Sequence, residues 1–145
     1  MPVNQAGTAS KSSESYGAPR RALRVIVVED EKDSLLTLVD LLRSEGHEAK
    51  GVGSAKELWN IMFDFAPDVC LIDIGLPDRS GYDIAQEMVR RFGERRPKLV
   101  AVTAWTKASD RILAKIAGFD KHVSKPYDPS ALLALVSDIA SGSDC

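Results

Sequence analysis

Acidic and basic side chains stand at the ends of three apolar runs in this chain, where their chemistry could combine. Asp73 closes the run VCLI and is followed by IGLP; the first run, VIVV, leads into Glu29 and Asp30; a later run, HVS, leads into Lys125. A short apolar run that ends in a polar residue, Gly or Pro is typical of a buried strand that delivers a side chain to a loop. Three acids and a lysine at strand ends indicate one site for a hard cation and a phosphoryl group.

The acids of this site would suit a magnesium ion. We expect Glu29, Asp30 and Asp73 to lie close together, and like charges in a shared cleft raise each other's pKa values. A divalent cation relieves that repulsion, and oxygen ligands with positions left for water suit Mg²⁺. The alternative is a set of solvated acids at loop starts, and the matching positions of Asp73 and Lys125 argue against it.

Asp73 is also a candidate nucleophile. A carboxylate can attack phosphorus in line and form an acyl phosphate. Such transfer depends on positioning and on neutralising the phosphoryl oxygens, for which Mg²⁺, the Lys125 ammonium, the Thr103 hydroxyl and the backbone amide of Ala104 are candidates. The ordinary alternatives are a β-branched strand residue at Thr103 and a surface lysine at 125, although the following Pro126 favours a fixed turn.

Alternating strands and amphipathic helices are predicted to position these side chains. Strands are predicted over Leu23–Val28, His47–Val52, Pro67–Asp73, Lys98–Thr103 and Lys121–Ser124. A helical pattern follows each strand, with apolar positions Leu35, Leu38, Val39 and Leu42; Leu58, Ile61 and Met62; Ile84, Met88 and Phe92; Ile112, Leu113 and Ile116; and Leu132, Leu133, Leu135, Val136 and Ile139.

This order predicts an α/β fold made of five β–α units. Such alternation demands parallel strands, right-handed crossovers and helices on both faces of the sheet. In an open sheet of this kind, ligands bind beyond the carboxyl ends of the strands. Every candidate residue of the site falls at such an end.

Size and composition fit one domain of an ordinary globular protein. The chain has 145 residues, is 44% hydrophobic and 28% charged, and carries a formal net charge of −2, which predicts no direct nucleic-acid binding. Its two cysteines, Cys70 and Cys145, form no metal or disulfide motif, and no apolar run could span a membrane, so we expect a cytoplasmic protein. Residues 1–21 are predicted to be a disordered tail or linker, residues 22–141 the folded domain, and residues 142–145 a C-terminal tail.

Four sequence blocks, in order, resemble a known family. The blocks VIVVED, LIDIGLPDRSG, AVTAW and VSKPYDP match those of the response-regulator receiver domains of two-component signalling. The resemblance covers roughly residues 22–141, and it is the combination of blocks that is specific. It implies the flavodoxin-like, doubly wound (βα)5 fold with a five-stranded parallel sheet in the order 2-1-3-4-5.

The resemblance also implies a role for each residue of the site. Asp73 is similar to the phosphoacceptor, and Thr103 and Lys125 to the switch hydroxyl and the phosphate-binding lysine. The metal set it implies is Asp30, Asp73 and the Gly75 backbone carbonyl, with Glu29 acting through water and Mg²⁺ as the cofactor. The resemblance also implies a role for Gly81, which lets the loop after Asp73 turn into its helix.

Three positions around the site are unusual. Many receivers carry Tyr or Phe as a switch ring in the last strand, where this chain has His122; a half-exposed strand residue is the favoured interpretation over a pH sensor. Trp105 stands near the mouth of the site and could limit the access of water. Gly75 has no side chain to orient a water molecule, so both residues predict slow self-dephosphorylation.

The resemblance favours a signalling module over an enzyme. A histidine kinase or histidine phosphotransfer protein would donate the phosphoryl group, and output would pass to a downstream protein through the fourth helix, fifth strand and fifth helix, or by onward transfer to another histidine. The stretch GFDKHVSKPYDPSALLALV also resembles the receivers of hybrid sensor kinases.

Two alternative functions stay open. An aspartyl-nucleophile phosphohydrolase would lack its usual second acid because Gly75 occupies that place, and a pseudo-receiver would bind partners without phosphorylation.

Overall fold

The computed structural model describes residues 22–104 and 108–142, apart from the side chains of residues 108 and 109. Trp105, Cys145 and the predicted tail over residues 1–21 lie outside this part. Five strands and five helices alternate along it: β1 Arg24–Val28, α1 Lys32–Ser44, β2 Glu48–Val52, α2 Ala55–Phe65, β3 Val69–Asp73, α3 Gly81–Phe92, β4 Lys98–Thr103, α4 Ala108–Ala117, β5 Lys121–Ser124 and α5 Pro129–Ser141. A short 3-10 helix, Gly93–Arg95, follows α3.

The strands form one parallel sheet in the order β2-β1-β3-β4-β5. This confirms the expected flavodoxin-like doubly wound fold. The register aligns Val28 with Ile72 on β3, and Asp73 with Val102 on β4. The loops that follow β1, β3, β4 and β5 therefore leave the same edge of the sheet, because all the strands point the same way.

Alternate residues of the central strands pack into two hydrophobic cores, one on each face of the sheet. Val25 and Val27 of β1 pack on the face covered by α1 and α5. Ile26 and Val28 pack on the face covered by α2, α3 and α4. The sheet is thus covered on both sides, which explains why β1 and β3 read as continuous apolar runs. Cys70 is fully buried in the second of these cores, as a small core residue.

Helix α4 differs from what its apolar pattern suggests. Ile112, Leu113 and Ile116 are 60%, 53% and 74% exposed. Among the side chains of this helix that the structure describes, Ala114 and Ala117 are buried, on the face covered by α2, α3 and α4. Two small side chains thus lie on the buried side of α4, and its larger apolar side chains lie on the outside.

Candidate functional site

Three carboxylates converge at the carboxyl edge of the sheet. One oxygen each from Glu29, Asp30 and Asp73 lies within 4.8 Å of the others. Glu29 and Asp73 are only 6% and 8% exposed, whereas Asp30 is exposed. Two neighbouring strands, β1 and β3, deliver them because the chain crosses from one half of the sheet to the other at this point.

Lys125 joins the acids from the other side of the site. Its Nζ atom lies 3.0 Å from Glu29 Oε1 and 3.2 Å from Asp73 Oδ2. The backbone N–H of Lys125 donates to the Thr103 carbonyl at 2.7 Å, and the peptide bond to Pro126 is cis. The lysine is therefore held by its own backbone, next to the end of β4, with its charge between two buried carboxylates.

Burial and neighbouring charges shift the pKa values of this cluster. Burial raises the pKa of Glu29; the backbone N–H of Glu31 and the Lys125 ammonium act against this, and Asp73 adds to it, so the net shift is upward. Burial by itself would lower the pKa of Lys125, but Glu29 and Asp73 outweigh it and raise that pKa. The lysine therefore stays charged at neutral pH, while the acids form a site of concentrated negative charge.

The loop after β3 is tightly closed around Asp73. The Gly75 N–H donates to Asp73 Oδ1 at 3.0 Å, and the Gly81 N–H donates to the Ile74 carbonyl at 2.9 Å. A Cβ on Gly81 would lie 2.8 Å from Ile74 Cα and 2.9 Å from the Asp73 carbonyl oxygen. Only glycine fits there without moving the backbone at the end of β3, which gives Gly81 a steric role in placing Asp73.

Thr103 and Ala104 follow at the end of β4. Thr103 is buried, with 7% of its surface exposed, and it pairs with Ser124 in the register of β4 and β5. Ala104 is exposed at the start of the next loop. Both lie at the same edge of the sheet as the acids. The proposed modulator Trp105 lies outside the described residues.

The structure places His122 away from the acid cluster. This β5 residue pairs with Ala101 on β4. It also lines a groove of about 160 Å³ between α4 and β5, together with Arg111, Ala114, Lys115, Phe119, Asp120 and Lys121. Its Nε2 lies 3.4 Å from Ser124 Oγ. Burial, followed by the positive charge of Arg111, lowers the pKa of His122 below the ordinary 6.5.

We expect the ring of His122 to titrate below pH 6.5, because the folded protein disfavours its charged form. Its neutral form stabilises the fold above pH 6.5, and this contribution is lost as the pH falls through the lowered pKa. Proton NMR of the two histidine rings measures this midpoint. Replacing Arg111 by Gln should raise the midpoint of His122 and leave that of His47, whose pKa burial also lowers, where it was. A midpoint for His122 above 6.5 would contradict the expectation.

Two residues of the loop after β3 have contacts that sequence reasoning did not identify. Asp78 accepts hydrogen bonds from the backbone N–H groups of Ala55 and Lys56 on α2, at 3.1 and 3.2 Å. Arg79 donates to Glu87 on α3 at 2.5 Å. In the sequence both belong to the segment LPDRSG, which is typical of a turn and carries no signal of a contact with a distant helix.

The donor set fits a hard divalent cation. All the candidate side-chain ligands are carboxylate oxygens, two of them buried and close enough to repel each other. Lys125 lies beside Glu29 and Asp73 and offsets part of this negative charge. Glu29, Asp30 and Asp73 are therefore the side chains that could hold such an ion.

Comparison with known proteins assigns the fold to one family. The family model described as the response regulator receiver domain matches residues 25–137.

In the part of the chain that is described, none of the helices is long and apolar enough to cross a membrane.

Solved structures of response regulators and receiver domains have the same fold as this chain. The BeF3-activated receiver domain of DrrB is 27% identical, with a TM-score of 0.71, and the match covers 80% of this chain and 95% of that one. A response regulator from Chloroflexus aurantiacus is 23% identical, with a TM-score of 0.76 and coverages of 83% and 98%. The receiver domain of a signal transduction histidine kinase from Syntrophus aciditrophicus is 21% identical, with a TM-score of 0.75 and coverages of 83% and 92%.

Proposed function

Because this chain belongs to the response regulator receiver domain family, we propose that it accepts a phosphoryl group on Asp73 from a phosphohistidine donor in a Mg²⁺-dependent reaction. The donor would be a histidine kinase or a histidine phosphotransfer protein. One observation carries the proposal: the Lys125 Nζ lies 3.2 Å from Asp73 Oδ2, so a fixed cation stands beside a buried carboxylate.

Each residue of the site would have a separate role in the phosphoryl transfer. An oxygen of Asp73 attacks phosphorus, the P–N bond to the donor imidazole breaks, and its electron pair returns to the imidazole nitrogen. Lys125 is released from part of its pairing with Asp73 and can neutralise a phosphoryl oxygen. Thr103, at the end of β4, is the candidate hydroxyl donor to another, and the Ala104 backbone amide a candidate for assisting it.

Glu29, Asp30 and Asp73 would hold the metal ion, with the Gly75 carbonyl as a further ligand. When bound there, Mg²⁺ would offset the carboxylate charge and neutralise a phosphoryl oxygen. Burial of Glu29 and Asp73 keeps water from screening these charges, which strengthens their interactions with a cation.

Phosphorylation would then act as a switch rather than as a step in substrate turnover. The added charge favours one arrangement of Thr103 and the neighbouring loop, and a partner that binds this arrangement reads the signal. Exposed Ile112, Leu113 and Ile116 on α4 support output by protein contact at the α4, β5 and α5 face.

The test is capture of a phosphoryl group from a small acyl phosphate. We expect the intact mass of the chain to increase by one phosphoryl group in the presence of Mg²⁺, and the increase to disappear when EDTA removes the metal. The adduct should be lost on treatment with hydroxylamine, which cleaves acyl phosphates. A chain that folds and binds Mg²⁺ but takes up no phosphoryl group would instead be a pseudo-receiver.

A further inference from the structure

The loop over residues 74–80 carries Gly75 and is anchored at its far end by two neighbouring residues of opposite charge. Asp78 accepts two backbone hydrogen bonds from α2, and Arg79 pairs with Glu87 on α3. At the base of the loop, the Gly81 N–H donates to the Ile74 carbonyl. The loop is therefore closed at its base by a backbone hydrogen bond, and its Asp78 and Arg79 side chains attach it to α2 and α3.

Asp78 completes the N-terminus of α2. Ser54 is the local cap: its Oγ accepts from the Glu57 N–H at 3.2 Å, and its carbonyl accepts from the Leu58 N–H at 3.1 Å. The first two N–H groups of the helix, which Ser54 does not reach, donate to Asp78 instead, from 23 and 22 residues earlier in the chain. Without Asp78 these two donors would need water or another partner.

The N-terminus of α2 is in turn attached to the other acidic loop. The Glu29 N–H donates to the Val52 carbonyl at 3.0 Å, just before the turn that starts α2. Gly53 lies in that turn, and a Cβ on it would be 4.0 Å from the Glu29 carbonyl oxygen. Asp78 thus links the loop that follows Asp73 to the segment that holds Glu29.

We propose that Asp78 is a positioning residue for the cation site: its carboxylate fixes the loop after β3 against α2, and so fixes the Gly75 carbonyl relative to Glu29 and Asp30. Residues that orient metal ligands without touching the metal commonly change metal affinity when they are replaced. The inference rests on the proposed function, because it concerns the site that would bind Mg²⁺.

The matched comparison is between Asp78→Ala and Ser54→Ala. Both variants remove a cap from the same helix terminus, so both should lower the melting temperature. Only Asp78→Ala also releases the loop, and we expect it to weaken Mg²⁺ binding, measured by calorimetry, about tenfold. In Asp78→Asn the side chain has one acceptor oxygen instead of two, so its affinity for Mg²⁺ should lie between those of the wild type and Asp78→Ala.

Hydrogen exchange of the metal-free protein provides a readout that does not depend on metal binding. Amides of residues 74–80 should exchange faster in Asp78→Ala, and in Asp78→Asn if the alanine variant does not fold, but not in Ser54→Ala. Unchanged exchange in that loop would overturn the role of Asp78 even if the wild type binds Mg²⁺. Equal losses of Mg²⁺ affinity in Asp78→Ala and Ser54→Ala would overturn it too. A wild type that binds no Mg²⁺, with faster exchange in Asp78→Ala, would refute the metal site itself and with it the positioning role.

Discussion

Asp73→Asn is expected to abolish phosphoryl capture while preserving the fold. A carboxamide is not a nucleophile toward phosphorus, so the rate should fall by at least about 10³-fold, to the level of no detectable adduct. The amide has almost the same shape as the carboxylate, and its oxygen can still accept the hydrogen bond that Asp73 Oδ1 receives from the Gly75 N–H. Intact mass after incubation with a small acyl phosphate and Mg²⁺ measures the effect.

A second carboxylate serves as the control for this result. Asp64 lies exposed on α2, away from the cluster of Glu29, Asp30 and Asp73. Asp64→Asn should capture the phosphoryl group as the wild type does, and circular dichroism should show both variants folded. An adduct of equal size on Asp73→Asn would mean that another residue is the acceptor.

Lys125→Met should have two separable effects. It removes the cation beside Asp73 but keeps an apolar stem of similar length, so phosphoryl capture should slow about 10²- to 10³-fold, as for the loss of one charge-stabilising donor at other active sites. It also leaves the buried Glu29 and Asp73 without the ammonium that lies 3.0 and 3.2 Å from them. The free energy of unfolding without Mg²⁺ should therefore fall by about 1–3 kcal/mol.

The pH dependence of this second effect has a definite sign. The pKa of Lys125 is raised by its acidic partners above the ordinary 10.5, so the stability that the charged lysine contributes is present at neutral pH and is lost as the pH rises through that raised value. Urea unfolding at neutral pH, with and without Mg²⁺, measures the loss. Lys115→Met, at an exposed position on α4, is the matched control. A Lys125→Met variant that captures the phosphoryl group at the wild-type rate would remove the lysine from the proposed chemistry.

Much of the fold could be predicted from local patterns. The core residues of β1 and β3 are continuous apolar runs because a strand covered on both faces has no polar side. The structure begins these strands at Arg24 and Val69, close to the predicted starts, and ends them at the predicted Val28 and Asp73. The strand order follows only from the family resemblance, because a local pattern does not determine which strands become neighbours in the sheet.

The orientation of α4 could not be predicted in this way. Its large apolar residues Ile112, Leu113 and Ile116 recur at helical spacing, yet all three are exposed. Burial is decided by the space between the helix and its neighbours, and here that space is filled by the smaller Ala114 and Ala117. A helical period reports which residues share a face, but not which face meets the sheet.

The sequence by itself determined the chemical types of the site residues and their positions at strand ends: acids just after β1, an acid at the end of β3, and a lysine after β5. Only the tertiary structure decided which of them touch. Lys125 meets Glu29 across 96 residues, and Asp78 meets Ala55 across 23. Contacts between such distant residues follow from the order and packing of whole elements. Such contacts leave no periodic signal in the sequence, since they form only after the rest of the fold has brought the two segments together.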